Sequence, residues 1–463
     1  MIIELKNFGP IEHFEFDTEK QMHFIFGENN IGKSYAISAV YLILKNIIEL
    51  KGLIRYHIYS ILPDENQLQS IENTIIDKVK KNENTSVTYI TQEWKDLMSE
   101  VFVSLYLTGI QKSFSSSFNI DNLQNVLSKT PLRIHLKFNN IEFVLGVKKE
   151  TLYLVETKLN YKVNISEVIT NRSPVFSEDK NVFRFYFNTK NETISSLAEG
   201  VSLEIRNLQS EIRNCADNVY FLPASRSGLY SALSAFSAII VELSQNRNFL
   251  RARIELPSIS EPLSDYFLNL SSIKNKEKIE SYAEYGNQIE EKILKGKVVF
   301  NSKTKKLFYV QNRLNFEMDL SSTSSMISEI APIVAHLKYI IESQRDKYFN
   351  FNNLLFIEEP EAHLHPKIQV ELIKLFAELA KKGLKIVMTS HSNYMFNKLS
   401  NMILAKEISP ENINVAHMKM GEKGSFVDRN SMHVDEFGIE DDNFADTAEE
   451  LYAERMKLYE QTH

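Results

Sequence analysis

Gly27-Glu28-Asn29-Asn30-Ile31-Gly32-Lys33-Ser34 spells Gly-x-x-x-x-Gly-Lys-Ser, the pattern of a phosphate-cradling P-loop. The residues on either side agree with that reading. His23-Phe24-Ile25-Phe26 is a short apolar run that leads in as a strand. Ile37, Val40, Tyr41, Leu44 and Ile48 recur at helical spacing and lead out as a helix with one apolar face. In such a strand–loop–helix unit the backbone N–H groups of Gly27, Glu28, Asn29, Asn30, Ile31 and Gly32, and of the helix start at Lys33, Ser34 and Tyr35, point at a β-phosphate. The Lys33 ammonium bridges the outer phosphates, and the Ser34 hydroxyl is suited to ligate Mg²⁺. Asn30 stands where glycine is common, and asparagine tolerates left-handed dihedrals better than most residues. The expectation is a nucleoside-triphosphate site.

A chain of 463 residues is too long for one ordinary core and fits two or three lobes. A hydrophobic content of 43% with 24% charged residues describes a globular protein, not a disordered or fibrous one. The formal charge of −7 argues against bulk non-specific nucleic-acid binding, although a local basic groove would not show in that total. The single cysteine, Cys215, excludes an internal disulfide and a cysteine-built metal site and suits a reducing cytoplasm. The opening MIIELKNFGPIEHFEF reads as two short strands around a Gly-Pro turn, not as a signal peptide. The apolar region from Tyr35 to Leu50 is interrupted by Lys45 and Asn46 and does not qualify as a membrane span.

A second informative cluster lies far downstream. Leu354-Leu355-Phe356-Ile357 is a continuous apolar strand ending in Glu358-Glu359-Pro360-Glu361-Ala362-His363-Leu364-His365-Pro366. A helix follows, with Ile368, Leu372, Leu375, Phe376 and Leu379 on one face and Gly383 just beyond it. Ile386-Val387-Met388 is a second buried strand running into Thr389-Ser390-His391-Ser392. In parallel α/β sheets ligands bind at the carboxyl ends of strands, so the P-loop and both polar clusters can converge on one triphosphate. The pattern predicts a mixed α/β fold, a P-loop nucleotide-binding sheet with helices, split by a large helical and β insertion. Its expected parts are an N-terminal ATPase part over 1–52, a helical insertion over 53–130 and a β-rich part over 131–230. A second helical insertion over 231–295 and a C-terminal part over 296–463 complete it. Tyr220-Phe221-Leu222 is expected as a core strand entering the turn Pro223-Ala224-Ser225-Arg226.

Each candidate residue has a plain alternative. Glu358, ending its strand, is the Walker B position that reaches Mg²⁺, and Glu359 is the candidate to orient the attacking water as general base. The alternative is that one of the two merely caps the following helix through its dipole. His391 follows a buried strand in a Ser/Thr-rich turn, where an imidazole can hydrogen-bond a γ-phosphate. His363 and His365 could be read as a metal pair, but no third ligand is evident, and a place at the helix start or against an opposing subunit fits better. Ser321-Ser322-Thr323-Ser324-Ser325-Met326-Ile327-Ser328-Glu329 precedes an apolar helix, Ile330 to Ile341, and its hydroxyls form either caps or an anion site.

Together these motifs resemble the ABC-type ATPases of the RecF/SMC/OLD branch. Leu5-Lys6-Asn7-Phe8-Gly9-Pro10-Ile11 is similar to that branch's first strand and turn, and Ile357 to Pro366 is the most specific feature. The resemblance covers about residues 1–50, 219–230 and 290–400. It implies ATP with Mg²⁺ as the bound pair, and ATP-dependent dimerisation in which Ser324 and Ser325 of one subunit complete the site of the other. Met326 departs from the pattern, where glycine is usual. Arg226, in a turn recurrent in such proteins, is expected near phosphate or a neighbouring subunit. About seventy residues follow His391, too few for a Toprim nuclease, and no long heptad runs imply coiled-coil arms. The chain is therefore similar to stand-alone OLD-like AAA ATPases, such as the ATPase subunits of the bacterial anti-phage systems Septu or PARIS.

The leading expectation is an ATPase switch: a cytoplasmic homodimer or higher homo-oligomer, away from membranes, that controls a separately encoded effector, a nuclease or toxin. The alternative is a RecF-like DNA-binding ATPase in repair, with Lys303-Thr304-Lys305-Lys306 and Lys78-Val79-Lys80-Lys81 as possible phosphate contacts, although charge runs are usually solvated faces. A transporter nucleotide-binding subunit is disfavoured by the missing Leu-Ser-Gly-Gly signature and the large insertion. The stretch between Leu53 and Val126 is the expected docking surface for the partner.

Overall fold

The computed structural model describes residues 1–61, 65–82, 87–118, 123–232, 259–273, 281–301, 306–314, 316–342, 344–346, 349–429, 432–441 and 447–462. Lys303, Thr304 and Lys305 of one basic stretch, and residues 233–258 and 274–280 of the expected second helical insertion, lie outside that set. In chain order the elements used below begin with β1 (Ile2–Phe8), β2 (Ile11–Asp17), β3 (Met22–Gly27), α1 (Lys33–Ile61) and α2 (Thr91–Phe102). They continue with β4 (Arg133–Lys137), β5 (Ile141–Lys148), β6 (Thr151–Leu159), β7 (Lys162–Val168), β8 (Val182–Asn188), α3 (Leu197–Cys215) and β9 (Asn218–Leu222). The last group is α4 (Ser325–Ala335), β10 (Asn353–Glu358), α5 (Pro366–Lys381), β11 (Leu384–Ser390), α6 (Asn393–Leu404) and β12 (Ile413–Gly421).

The chain forms two compact units. One comprises Met1–Glu19, Ser38–Val219 and Glu422–Gly424, and the other Lys20–Ile37, Tyr220–Gly421 and Ser425–His463.

In the second unit five strands run in the order β9-β10-β11-β3-β12. β10, β11, β3 and β12 are mutually parallel. Their register aligns the carboxyl ends: Glu358 stands opposite Thr389, Ser390 opposite Phe26, and Met418 opposite Gly27. All six residues of β10 are buried, as a parallel strand covered on both faces requires. Leu372, Leu375, Phe376 and Leu379 of α5 share one apolar cluster with Leu355, Ile357, Ile386 and Met388. Each such side chain contributes roughly 2 kcal/mol on burial. Ile368, expected on that face, is only partly buried. Gly383 follows α5 at φ +93°, the left-handed turn that closes a helix.

The first unit pairs β2-β1-β4-β5-β6 entirely antiparallel. β1 and β2 form the expected hairpin, with Phe8 opposite Ile11 and Gly9 at φ +53°. A smaller sheet holds β7 and β8 in parallel, and the strand Val87–Tyr89 pairs antiparallel with β7. β7 falls within the expected β-rich part over 131–230, whereas Val87–Tyr89 is a strand inside the expected helical insertion over 53–130. Val163, Asn164 and Ile165 of β7 are buried in succession, and only two of these three are apolar to mark the strand in the sequence. Trp94 of α2 packs on Phe183 and Phe185 of β8, with ring centroids 5.4 and 5.2 Å away.

Helix α1 differs from expectation in one respect. From Ala36 to Ile48 it is buried almost all round, not on one face, with only Ser38, Lys45 and Asn46 partly exposed. Asn46 satisfies its amide on Leu42 O and Ser113 Oγ, both at 2.8 Å. Among the described residues no helix is long and apolar enough to cross a membrane.

Candidate nucleotide site

The P-loop links β3 to α1 through backbone that only particular residues accept. Gly27 has φ +140°, and a Cβ there would lie 2.3 Å from Met418 O on β12, so no side chain fits. Asn30 is left-handed at φ +62° and Gly32 at φ +86°. Glu28, Asn29 and Asn30 are exposed, whereas Ile31 is buried and anchors the loop. Lys33 is buried and curls back, its Nζ donating to Gly27 O at 2.9 Å and Glu28 O at 2.6 Å. Burial lowers its pKa to about 8, opposed in part by the charges of Glu359 and Glu361. The Tyr35 hydroxyl is pushed up to about 12 by burial.

The end of β10 brings two carboxylates to this loop. Glu358 is buried, accepts the Ser34 hydroxyl and takes the Ala224 N–H at 3.1 Å through Oε2. Burial holds its carboxyl above the ordinary range, with the Ser34 contact working against that. Glu359 is left-handed at φ +42°, a conformation costing on the order of 1–2 kcal/mol for a non-glycine residue. Its N–H is held by Thr389 O at 3.0 Å. Neither glutamate caps the following helix. The N-cap of α5 is His365, whose side chain accepts from Lys367 N, and His363 sits in the preceding turn at φ +58°.

His391 joins the loop to the acidic motif. Its Nδ1 lies 3.5 Å from Lys33 Nζ and its Nε2 3.5 Å from Glu359 Oε1. The neighbouring imidazole, more than any other group, holds the Glu359 carboxyl below its usual range. Glu361, which the sequence places in the motif without a role, accepts His391 N at 2.6 Å and Ser390 Oγ at 2.8 Å. An ammonium, an ionised carboxylate and an imidazole thus meet at the ends of three parallel strands. Such a set can neutralise phosphate charge, accept a proton from water and sense a terminal phosphate.

Arg226 is placed differently from expectation. It is fully buried and reaches neither solvent nor a surface open to a second subunit. Its Nε donates to Glu329 O at 3.0 Å, Nη1 to Pro223 O and Glu358 O at 2.9 and 2.7 Å, and Nη2 to Glu359 O at 3.2 Å. The guanidinium is consumed by carbonyls, and Glu329 Oε2 at 3.3 Å from Nε supplies its counter-charge. Glu329, on the serine-bearing helix α4, was not foreseen. The available signal was an acid abutting the apolar run Ile330-Ala331-Pro332-Ile333-Val334, a burial that demands a cation. Ser324 is the N-cap of α4, yet its side chain makes no capping bond, and Ser324 and Ser325 are both exposed. No hydrogen bond among the described residues ties these two hydroxyls to Lys33, Glu359 or His391 of the same chain.

The chain is 23% identical over 411 residues to "Endonuclease GajA" of Bacillus cereus (strain HuB5-5), covering 81% of this chain and 52% of that protein. The chain therefore spans about half the length of that relative. An SMC head domain from Thermotoga maritima matches with a TM-score of 0.31 at 11% identity, over 92% of this chain and 97% of that one. An Smc head domain with an extended coiled coil, bound to the C-terminal domain of ScpA derived from Pyrococcus furiosus, matches with a TM-score of 0.34 at 12% identity, covering 92% and 95%. A family model described as "AAA ATPase domain" matches residues 1–396, in line with the resemblance read from the motifs, and the chain belongs to that family of ATPases.

Proposed function

We propose that this chain is an Mg²⁺-dependent ATPase switch that assembles through ATP held between subunits and controls an effector, a nuclease or toxin, in the cytoplasm of a bacterium under phage attack. The observation that carries the ATPase reading is the meeting of Lys33, Glu359 and His391 within 3.5 Å contacts beside the P-loop. The effector reading is supported by a relative named an endonuclease.

In this reading the amides of Gly27 to Tyr35 bind the β-phosphate, and the Lys33 ammonium turns from the loop carbonyls to the outer phosphate oxygens. Glu359, kept ionised beside His391, takes a proton from the attacking water, while the imidazole donates to the terminal phosphate. Ser34 and Glu358, a hydroxyl and a carboxylate already in contact, fit the hard oxygen set that Mg²⁺ prefers and would hold it. When bound, that ion supplies charge neutralisation at the phosphates. Ser324 and Ser325, exposed at the start of α4, would meet the phosphate of a second copy.

The test is Mg²⁺-dependent ATP hydrolysis by the purified chain, with and without double-stranded DNA, using Lys33→Ala as the blank. Turnover that vanishes in Lys33→Ala and ignores DNA is the expected result. Turnover equal in both proteins rejects the site, and strong stimulation by DNA moves the reading to a RecF-like enzyme.

A further inference from the structure

A second feature of this unit lies behind the reacting groups. The Arg226 guanidinium grips the main chain at the end of β10, donating to four carbonyl oxygens: Glu329 O, Pro223 O, Glu358 O and Glu359 O. The Glu329 carboxylate in turn receives Arg226 N at 3.1 Å and, through Oε1, Ser227 N at 3.2 Å and Ser227 Oγ at 2.8 Å. Both side chains have no exposed surface. The turn leading into Arg226 touches the acidic motif again, since Ala224 N donates to Glu358 Oε2. Glu329 lies one helical turn beyond Ser325 on α4, so the exposed serines and the buried carboxylate belong to one rigid segment.

We infer that Arg226 and Glu329 are positioning residues that transmit the placement of the serine-bearing end of α4 to the backbone that carries Glu359. The physical argument is one of constraint. Glu359 holds a left-handed conformation that its own residue type disfavours, and its carbonyl is held by Arg226 Nη2 while its N–H is held by Thr389. A planar guanidinium with fixed donor directions cannot follow a displacement of Glu329 without shifting the carbonyls of Glu358 and Glu359. A shift of α4, as when Ser324 and Ser325 engage an anion, is therefore felt at the catalytic carboxylate. A salt bridge kept only for stability needs no such contact with the Walker B main chain. The inference rests on the ATPase reading above and extends it to how the site is switched on.

The experiment uses the full chain with Glu329→Gln and Arg226→Lys, which keep volume and some hydrogen bonding, each checked by thermal melting. Hydrolysis is measured in wild type, Ser325→Ala, Glu329→Gln and the double variant, with affinity for a fluorescent ATP analogue measured in parallel. Glu329→Gln is expected to keep affinity within about threefold and to lower kcat at least about tenfold. Ser325→Ala is expected to cost activity in wild type but nothing further in Glu329→Gln. Independent, multiplying effects, or no effect of Ser325→Ala in wild type, overturn the inference. Hydrogen exchange at the amides of residues 358–364 gives a readout independent of turnover. Faster exchange in Arg226→Lys, with the rest of the chain unchanged, is expected, and unchanged exchange there rejects the staple. If wild type hydrolyses no ATP, the proposed function fails while the exchange result still decides the staple.

Discussion

The carboxylate of Glu361 accepts the backbone N–H of His391 at 2.6 Å. The two residues stand thirty positions apart, yet the contact fixes the turn that presents the imidazole, and the same oxygen also holds Ser390 Oγ at 2.8 Å. The second oxygen, Oε2, is buried with no hydrogen-bond partner among the described residues, and burial keeps the carboxyl above its ordinary range. Glu361→Gln keeps an accepting oxygen for His391, whereas Glu361→Ala leaves two donors unpaired, a loss of about 1–3 kcal/mol. Single-turnover hydrolysis is therefore expected to fall about tenfold or more in Glu361→Ala and much less in Glu361→Gln. Equal losses in the two variants would show that the charge, not the hold on His391, is what matters.

Glu359→Gln removes the ionised carboxylate beside His391 while keeping the residue's size and its backbone contacts to Thr389 and Arg226. Loss of a general base lowers turnover by about 10²–10⁴. ATP affinity is expected to stay within a few-fold, because Lys33 and the loop amides are untouched. Light scattering with ATP should then show a persistent dimer in Glu359→Gln and a transient one in wild type. A variant that still turns over at the wild-type rate would remove Glu359 from the role of base.

Lys33 gives a pH signature of its own. Burial brings its pKa down from 10.5 to about 8, with Glu359 and Glu361 resisting the change. Phosphate binding uses the ammonium form, so ATP affinity should hold below pH 8 and fall above it, by at most about tenfold per pH unit. Folding stability runs the other way. Between about pH 8 and 10.5 the unfolded chain binds the extra proton, so the ligand-free protein gains stability as pH rises through that window. Lys33→Met should flatten both curves, and calorimetric titration with ATP at pH 7 and pH 9 measures the first of them. An affinity as strong at pH 9 as at pH 7 contradicts the placement of this charge.

What the sequence made legible follows from where the information sits. Gly27 to Ser34, Glu358 to Pro366 and Thr389 to Ser392 are contiguous strings at strand ends, so local chemistry names them and the parallel register brings them together. Arg226 and Glu329 are separated by 103 residues, and their pairing is a tertiary fact with no local spacing to announce it. The sequence alone therefore points Arg226 toward phosphate or a neighbouring subunit, whereas four of its donors are spent on carbonyls inside the protein. The β7 strand shows a different limit. It is only seven residues long, and its parallel pairing with β8 depends on a partner twenty residues away. The helix expected over Ile330 to Ile341 begins five residues earlier, at Ser325 with Ser324 as its N-cap, and a contact of these serines with a second copy would leave no trace within one chain.

Beneath the smaller sheet of the first unit lies a carboxyl that titrates near neutrality. Glu204, on α3, has no exposed surface, and burial raises its pKa from 4.5 to about 7. It accepts the Tyr161 hydroxyl at 3.3 Å and the Asn207 amide at 3.2 Å, and Tyr161 accepts Trp94 Nε1–H at 2.9 Å. The folded pKa lies above the unfolded one, so the folded state holds more protons between about pH 4.5 and 7. Stability from this group is full below pH 4.5 and is lost as pH rises through 7, at a slope of up to about 1.4 kcal/mol per pH unit. Trp94 is the only tryptophan in the chain, so its fluorescence in denaturant titrations reports on this unit alone. Glu204→Gln keeps the acceptor for Tyr161 and cannot ionise, and it should be more stable than wild type at pH 8 and nearly equal at pH 5. A wild-type midpoint that does not move between those two pH values, after correction for the rest of the chain with Glu204→Gln, shows that this carboxyl is ionised in the fold throughout.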